Sequence, residues 1–156
     1  KFNEDTQNKI LNDLEFLSKI SIVNVIPSRR TPPQFIKKLA ILKNHNLNLF
    51  TNLFDPITYG RLLSEAKMQI VTWDSISMIS EAISSETGTF LYRFEEESCP
   101  KRYQLFHQLV KQKGFLKSFN RNMRPYTVSM SAYNSELKSK ILNKIKSNLW
   151  FKNSVS

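Results

Sequence analysis

The feature that most constrains the fold of this chain is an alternation of short apolar runs with longer segments that open like helices. Residues 20–26 are nearly all apolar and β-branched, which predicts a strand buried on both faces. Thr31 and Pro32 follow, and a hydroxyl N-cap before a proline in the first turn predicts a helix start. Further strands are predicted at residues 47–51, 68–73 and 89–94.

Helices are predicted between these strands from apolar residues at helical spacing. They cover residues 4–19, a segment after Pro32, and residues 59–67, 75–85, 102–112 and 134–149. Asp55 and Pro56 repeat the pattern of a cap residue before a proline and predict the start of the third helix. Strands that alternate with helices of about 10 to 15 residues indicate a parallel sheet built from βαβ units. We therefore predict a three-layer, Rossmann-like α/β fold with a mostly parallel sheet of four to six strands. Residues 1–156 are expected to form a single domain, because no linker or low-complexity tract divides them.

Composition excludes several classes of protein. Cys99 is the single cysteine, so no internal disulfide can form, and a reducing compartment, the cytoplasm, is expected. No apolar run approaches the ~20 residues of a membrane-spanning helix, and no signal peptide is visible, although the chain begins at Lys1. Gly60, Gly88 and Gly114 lie too far apart for a Gly-rich phosphate loop. A metal site is not predicted, because one cysteine and two histidines are too few ligands.

The net charge of +10 is concentrated in the last third of the chain. Residues 101–156 carry 12 Lys and Arg against the single acidic residue Glu136, whereas residues 1–100 carry 11 against 12 acidic residues. Such a surface suits anionic lipid or an acidic partner, or it reflects only a composition rich in lysine and asparagine. Nucleic acid is not predicted as a partner, because aromatic residues are not interleaved with the basic ones as base stacking requires.

The predicted C-terminal helix, residues 134–149, has two interpretations. Its apolar stripe consists of Leu137, Ile141, Leu142, Ile145 and Leu149, and lysines occupy the remaining surface. We expect this stripe to dock on the chain's own sheet, and the alternative is peripheral binding to an anionic membrane. If a domain that this helix would cover is missing, exposed Trp150 and Phe151 would favour self-association.

Two loops at the predicted carboxyl ends of strands carry residues suited to a ligand. In open α/β sheets ligands bind at this edge, where helix N-termini present unpaired N–H groups. The first loop contains Ser28, Arg29, Arg30 and Thr31, and two guanidinium groups beside two hydroxyls predict a phosphate site. The alternative is that the arginines cap neighbouring elements or lie in solvent.

The second loop follows the predicted strand at residues 68–73 and opens a helix whose isoleucines are expected to face the sheet. Ser77 and Glu81 are four residues apart, so they share another side of this helix near its start. Hydroxyls in a first turn can bind a diphosphate, and a carboxylate one turn deeper can accept hydrogen bonds from ribose. On spacing alone, Asp74 as a plain cap and Glu81 as a surface charge are the better explanation.

These two loops resemble the Elongated Mitochondria family, which contains the plant mitochondrial-fission protein and bacterial relatives. Residues 27–32 read Pro-Ser-Arg-Arg-Thr-Pro, and residues 71–82 read Val-Thr-Trp-Asp-Ser-Ile-Ser-Met-Ile-Ser-Glu-Ala. The family patterns are Ser-Arg-Arg-Thr-Pro and Thr-x-Asp-Ser-Val/Ile-Ser-Met-x-Ser-Glu-Ala. The pairs at 106–107, Phe-His, and at 114–115, Gly-Phe, also fit the family. The resemblance runs from about residue 11 to 149, over only the C-terminal half of a family member.

The family is in turn similar to glycosyltransferases of the GT-B type, in which two Rossmann-like domains face each other across a cleft. The resemblance implies that this chain is the donor-binding half and that the N-terminal acceptor domain is absent. It implies no cofactor, but a nucleotide-diphosphate sugar as substrate, and it assigns no catalytic residue. The implied ligands are Ser28, Arg29, Arg30, Thr31, Asp74, Ser75 and Ser77 for the diphosphate, Glu81 for the ribose, and Leu53 and Phe54 for the nucleobase.

Two functions are therefore expected from the resemblance. The leading hypothesis is binding of a nucleotide or nucleotide sugar in a glycosyltransferase-like protein, and the alternative is an adaptor that acts through protein contacts, like the plant member that recruits a dynamin-related protein. The chain departs from the family at two places. Glu86-Thr87-Gly88 stands where the family has Gly-Lys-Pro, and residues 128–133 replace its Pro-Leu-Asn-Asp-Thr.

Overall fold

A computed structural model describes residues 2–42, 46–51, 56–94 and 99–131 of the chain. Helices and strands alternate throughout this part, which confirms the predicted α/β fold. The helices are α1 (Glu4–Ser18), α2 (Pro33–Ile41), α3 (Pro56–Glu65), α4 (Ile76–Ser84) and α5 (Lys101–Gln112). The strands are β1 (Val23–Val25), β2 (Leu47–Leu49), β3 (Gln69–Thr72), β4 (Thr89–Tyr92) and β5 (Leu116–Ser118).

The ladders between these strands are all parallel, as predicted. β1 pairs with β2, and β4 lies between β3 and β5, so the strands form two short sheets rather than the single sheet that the alternation suggested. The order β3-β4-β5, with helices as the connections, is the arrangement of a Rossmann-like fold. β5 was not individually predicted, because a three-residue strand with two exposed positions leaves no apolar run in the sequence.

The main hydrophobic core lies between the β3-β4-β5 sheet and the helices that connect its strands. Ile79 and Ile83 of α4 pack there with Val71 of β3 and Leu91 of β4, and Ile79 is fully buried. This confirms the prediction for Ile79 and Ile83, whereas Ile76, also expected to face the sheet, is only partly buried. The N-terminus of α4 is thereby held at the carboxyl end of β3.

Helix α1 contacts the opposite face of the same sheet. Tyr92 alternates with Leu91 along β4, so its side chain lies on the face away from α4. Its hydroxyl donates a 2.6 Å hydrogen bond to Asp13 of α1, which also accepts from Nε of Arg121 at 2.8 Å. Helices on both faces of the sheet agree with the three-layer prediction.

The first strand differs from its prediction. β1 covers three residues instead of seven, and Ile20 and Ile22 are 66% and 71% exposed, so burial on both faces is wrong. Asn24 explains the open face, because its amide oxygen accepts a 3.0 Å hydrogen bond from Asn48 of β2. Ile22 lies two residues from Asn24 and shares that polar, solvent-exposed side of the strand.

Of the two helix starts predicted from a cap residue and a proline, one differs in its cap and the other is confirmed. Thr31 is not the N-cap of α2: the cap position is Pro32, without a side-chain cap, because the Thr31 hydroxyl instead accepts the N–H of Ser28 at 2.9 Å. α3 begins at Pro56, which confirms the helix start predicted there, and its first turn precedes the apolar segment predicted from residue 59. Proline suits the first helical turn because it lacks the N–H that would be unpaired there.

The predictions for the C-terminal region lie outside the described residues. They concern the basic helix at residues 134–149, its docking or membrane contact, and self-association through Trp150 and Phe151. Within the described ranges, no helix is both long enough and apolar enough to cross a membrane.

Candidate functional site

The two loops that the sequence singled out meet at the carboxyl ends of β1 and β3. Nη2 of Arg30 donates a 3.0 Å hydrogen bond to the backbone oxygen of Asp74 and lies 3.7 Å from its carboxylate. Both side chains are partly open to solvent, so this ion pair adds little stability. Its consequence is geometric: it joins the loop after β1 to the loop that opens α4.

The first loop is a compact turn built by its own hydroxyls. The N–H of Thr31 bonds to the carbonyl of Ser28 at 3.0 Å, and the Thr31 hydroxyl accepts the N–H of Ser28 in return. The Ser28 hydroxyl accepts the N–H of Arg30 at 3.2 Å. These bonds leave the positively charged side chain of Arg29 exposed to solvent.

The second loop caps α4. Ser75 is 6% exposed, and its hydroxyl accepts the N–H of Met78 at 3.4 Å and lies 3.3 Å from the hydroxyl of Ser77. Ser77 itself is exposed in the first helical turn. Because the first N–H groups of a helix lack intrahelical partners, this end of α4 carries partial positive charge beside two hydroxyls.

The capping role of Ser75 predicts that alanine substitutions at Ser75 and at Ser80 change the stability of the chain differently. Ser75→Ala removes the N-cap acceptor and is expected to lower the free energy of unfolding by about 1 kcal/mol in urea titrations. Ser80→Ala, in the middle of the same helix, removes a hydroxyl that bonds the carbonyl of Ile76 at 2.9 Å. Since alanine favours helix interiors, it should be neutral or slightly stabilising. Equal losses in both variants would contradict the capping role.

Glu81 is not an isolated surface charge. The hydroxyl of Tyr59, in α3, donates a 2.9 Å hydrogen bond to its Oε2. Burial and the hydrogen bond to this carboxylate raise the pKa of Tyr59, so the phenol stays protonated and remains a donor. A carboxylate has acceptor capacity on both oxygens, and among the described residues no donor bonds to Oε1 of Glu81.

The structure thus brings together most of the residues predicted for the site. Both loops meet, and Glu81 lies one helical turn beyond Ser77 along α4, where Tyr59 of α3 hydrogen-bonds it. The predicted base-lining residues Leu53 and Phe54 lie outside the described residues, as does Asp55, the predicted cap of α3. The ligand roles of all these residues stay predictions.

Sequence reasoning missed two sets of residues. Tyr59 was seen only as the start of a helix, and nothing in its local pattern indicates a bond to Glu81, 22 positions away. A polar groove between β4 and α5 was also missed. Its signal was present in the sequence as polar side chains at positions 104, 107, 108 and 111, which share one side of a helix. Within the described ranges, no group of three or more His, Cys, Asp or Glu could hold a metal ion.

Parallel strands joined by helices, with polar loops meeting at the carboxyl ends of two strands, define a Rossmann-like α/β protein. The chain belongs to the mitochondrial fission ELM1 family, whose family model matches residues 1–143. This confirms the family resemblance of the two loops.

One curated relative is a protein of Rickettsia prowazekii (strain Madrid E) named "Uncharacterized protein RP120". The two are 36% identical over 124 residues, which are 72% of this chain and 33% of the relative. The chain therefore spans about a third of the length of this relative. No solved structure shows significant similarity to the chain.

Proposed function

We propose that the edge formed by the two loops binds the diphosphate and ribose of a nucleotide, with a nucleotide sugar as the substrate class. The observation that carries the proposal is the hydrogen bond of Arg30 to Asp74, because it assembles the cationic turn and the N-terminus of α4 on one surface. Arg29, Ser77 and the first N–H groups of α4 then offer donors to phosphate oxygens.

The ribose position rests on Glu81. A carboxylate accepts hydrogen bonds from two neighbouring hydroxyls, which is the chemistry that a ribose diol presents. Glu81 is exposed, one turn of α4 beyond Ser77, and Tyr59 holds one of its oxygens. Tyr59 is therefore a positioning residue that orients the carboxylate and leaves Oε1 for the sugar.

Calorimetric titration with UDP, GDP and ADP sugars tests this proposal. Glu81→Ala is expected to weaken binding of the preferred nucleotide at least about tenfold, the loss typical of a hydrogen bond to a charged group. Glu65→Ala, at the exposed end of α3, removes the same charge and should leave affinity within about twofold. Tyr59→Phe should give an intermediate loss, since Glu81 remains but is no longer oriented.

Circular dichroism of each variant separates lost binding from lost folding. No saturable heat with any of the three nucleotide classes would contradict the proposal and favour the adaptor that acts through protein contacts. Equal weakening by Glu81→Ala and Glu65→Ala would show a general charge effect and would also contradict it.

A further inference from the structure

A groove of about 280 Å³ lies between β4 and α5, and none of its lining residues belongs to the two loops. Leu91 and Arg93 are two residues apart, so they line it from the same side of β4 and its extension. One stripe of α5 lines the other side. The residues of that stripe are Gln104, His107, Gln108 and Lys111.

The groove is cationic. Arg93 and Lys111 stand on it, and within the described part of the chain no acidic side chain pairs with either of them. Nζ of Lys111 donates a 2.8 Å hydrogen bond to the hydroxyl of Ser118 in β5, which fixes the ammonium at the edge of the groove. Burial lowers the pKa of Lys111, and the nearby positive charge of Arg93 lowers it further.

His107 is a buried polar group on the same wall. Its side chain is 5% exposed, and Nε2 has no hydrogen-bond partner among the described residues. Burial and the charge of Arg93 lower the pKa of His107, and a hydrogen bond with the backbone of Trp73 partly opposes them. A buried polar atom without a partner costs free energy, about 1–3 kcal/mol, so such an atom beside a cavity indicates a ligand that completes it.

We propose that this groove binds a phosphate group, held by the guanidinium of Arg93, the ammonium of Lys111 and the imidazole of His107. A phosphate has several oxygens that can accept from these separate donors, and its protonated form can also donate to a neutral imidazole. The cavity is close to the lower end, about 300 Å³, of small-molecule sites, so a small phosphate monoester is the largest occupant that it suits. The site does not depend on the proposed nucleotide edge, with which it shares no residue.

Titration with inorganic phosphate, followed through the imidazole resonances of the folded 156-residue chain, tests the proposal. The chain has two histidines, His45 and His107, so His107→Gln assigns the resonances. We expect a saturable shift of the His107 resonances. Arg93→Gln and Lys111→Gln should each weaken phosphate binding at least about tenfold.

Lys101→Gln is the matched control. It removes one positive charge from the first turn of α5, ten residues or about 15 Å along the helix from Lys111. Because charges this far apart are screened at physiological salt, phosphate affinity should stay within about twofold. The absence of a saturable shift, or equal weakening by Lys101→Gln, would overturn the proposal.

A second titration with glycerol 3-phosphate distinguishes the source of the phosphate. Tighter binding than inorganic phosphate would identify a phosphate monoester as the ligand, and equal affinity would identify free phosphate. Both results support a phosphate group as the ligand of the groove. If the ester binds while Arg93→Gln leaves its affinity unchanged, the anion lies elsewhere and the proposal is wrong.

A pH series with sulfate, whose charge is constant over this range, tests whether the imidazole of His107 contributes to anion binding. Burial, Arg93 and Lys111 lower the pKa of His107, and the hydrogen bond to the Trp73 backbone opposes them. The rings of Tyr103 and Phe106, both in α5, also border the imidazole. Protonation makes Nε2 a donor, so sulfate affinity should rise as pH falls from about 8 to about 5. In His107→Gln this rise should be absent, and its persistence would exclude the imidazole from the site.

Discussion

Gly88→Ala is expected to lower the free energy of unfolding by about 3 kcal/mol, because a methyl group at this position has no room. A Cβ built on Gly88 would lie 2.5 Å from both the ring carbon Cδ1 and the backbone oxygen of Tyr126. Tyr126 cannot easily move away. Its hydroxyl accepts the N–H of Thr89 at 3.1 Å and lies 2.7 Å from the Thr89 carbonyl, so its ring is held against β4.

Gly60→Ala provides a control with the opposite sign. Gly60 lies inside α3, and nothing is found within 4 Å of the position where its Cβ would stand. Alanine in a helix interior is favoured over glycine by about 1 kcal/mol, so this variant should be more stable than the parent chain. Urea unfolding followed by circular dichroism measures both changes. Loss of stability in both variants, or in neither, would contradict the close approach of Tyr126 to Gly88.

Asp13→Ala is expected to cost about 3 kcal/mol, the range for removing one partner of a buried hydrogen-bonded charge. Asp13 is 6% exposed and accepts from both the Tyr92 hydroxyl and the Arg121 guanidinium. Asp13 therefore connects its own helix α1 to β4 and to the segment after β5. Tyr92 lies 79 residues and Arg121 lies 108 residues further along the chain. Removal of Asp13 would leave the Tyr92 hydroxyl buried without this acceptor.

Two companion variants separate this network from general surface charge. Asp13→Asn keeps an acceptor for Tyr92 but loses the charge beside Arg121, so its loss should be intermediate. Glu15→Ala, two residues along α1, breaks an exposed pair with Lys19 at 3.3 Å and should cost at most about 0.5 kcal/mol. Urea unfolding measures all three variants. A shift in the midpoint of the transition, with an unchanged dependence on urea concentration, gives the change in the free energy of unfolding. If Asp13→Ala and Glu15→Ala cost the same, the buried network contributes nothing to stability.

The alternation of helices and strands could be predicted because its signals are local. Pro56 and Ser75 mark helix starts through the chemistry of the first turn, and Ile79 and Ile83 mark a buried face through their spacing. The two site loops could also be predicted, since parallel strands bring their carboxyl ends to one edge. The extent of β1 could not, because its apolar residues satisfy the strand pattern whether or not another element covers them.

The sequence by itself determined the order of the elements from α1 to α5 and the family of this chain, but neither the extent of β1 nor the presence of β5. Only the tertiary structure decided which side chains meet: Arg30 with Asp74, Tyr59 with Glu81, and Asp13 with Tyr92. The groove of Arg93, His107 and Lys111 likewise exists only once α5 lies against β4. The physical reason is the distance along the chain over which each interaction acts. Capping and amphipathic periodicity act between residues within about four positions of each other, whereas these contacts join residues far apart in the chain, and no local pattern encodes such a pairing.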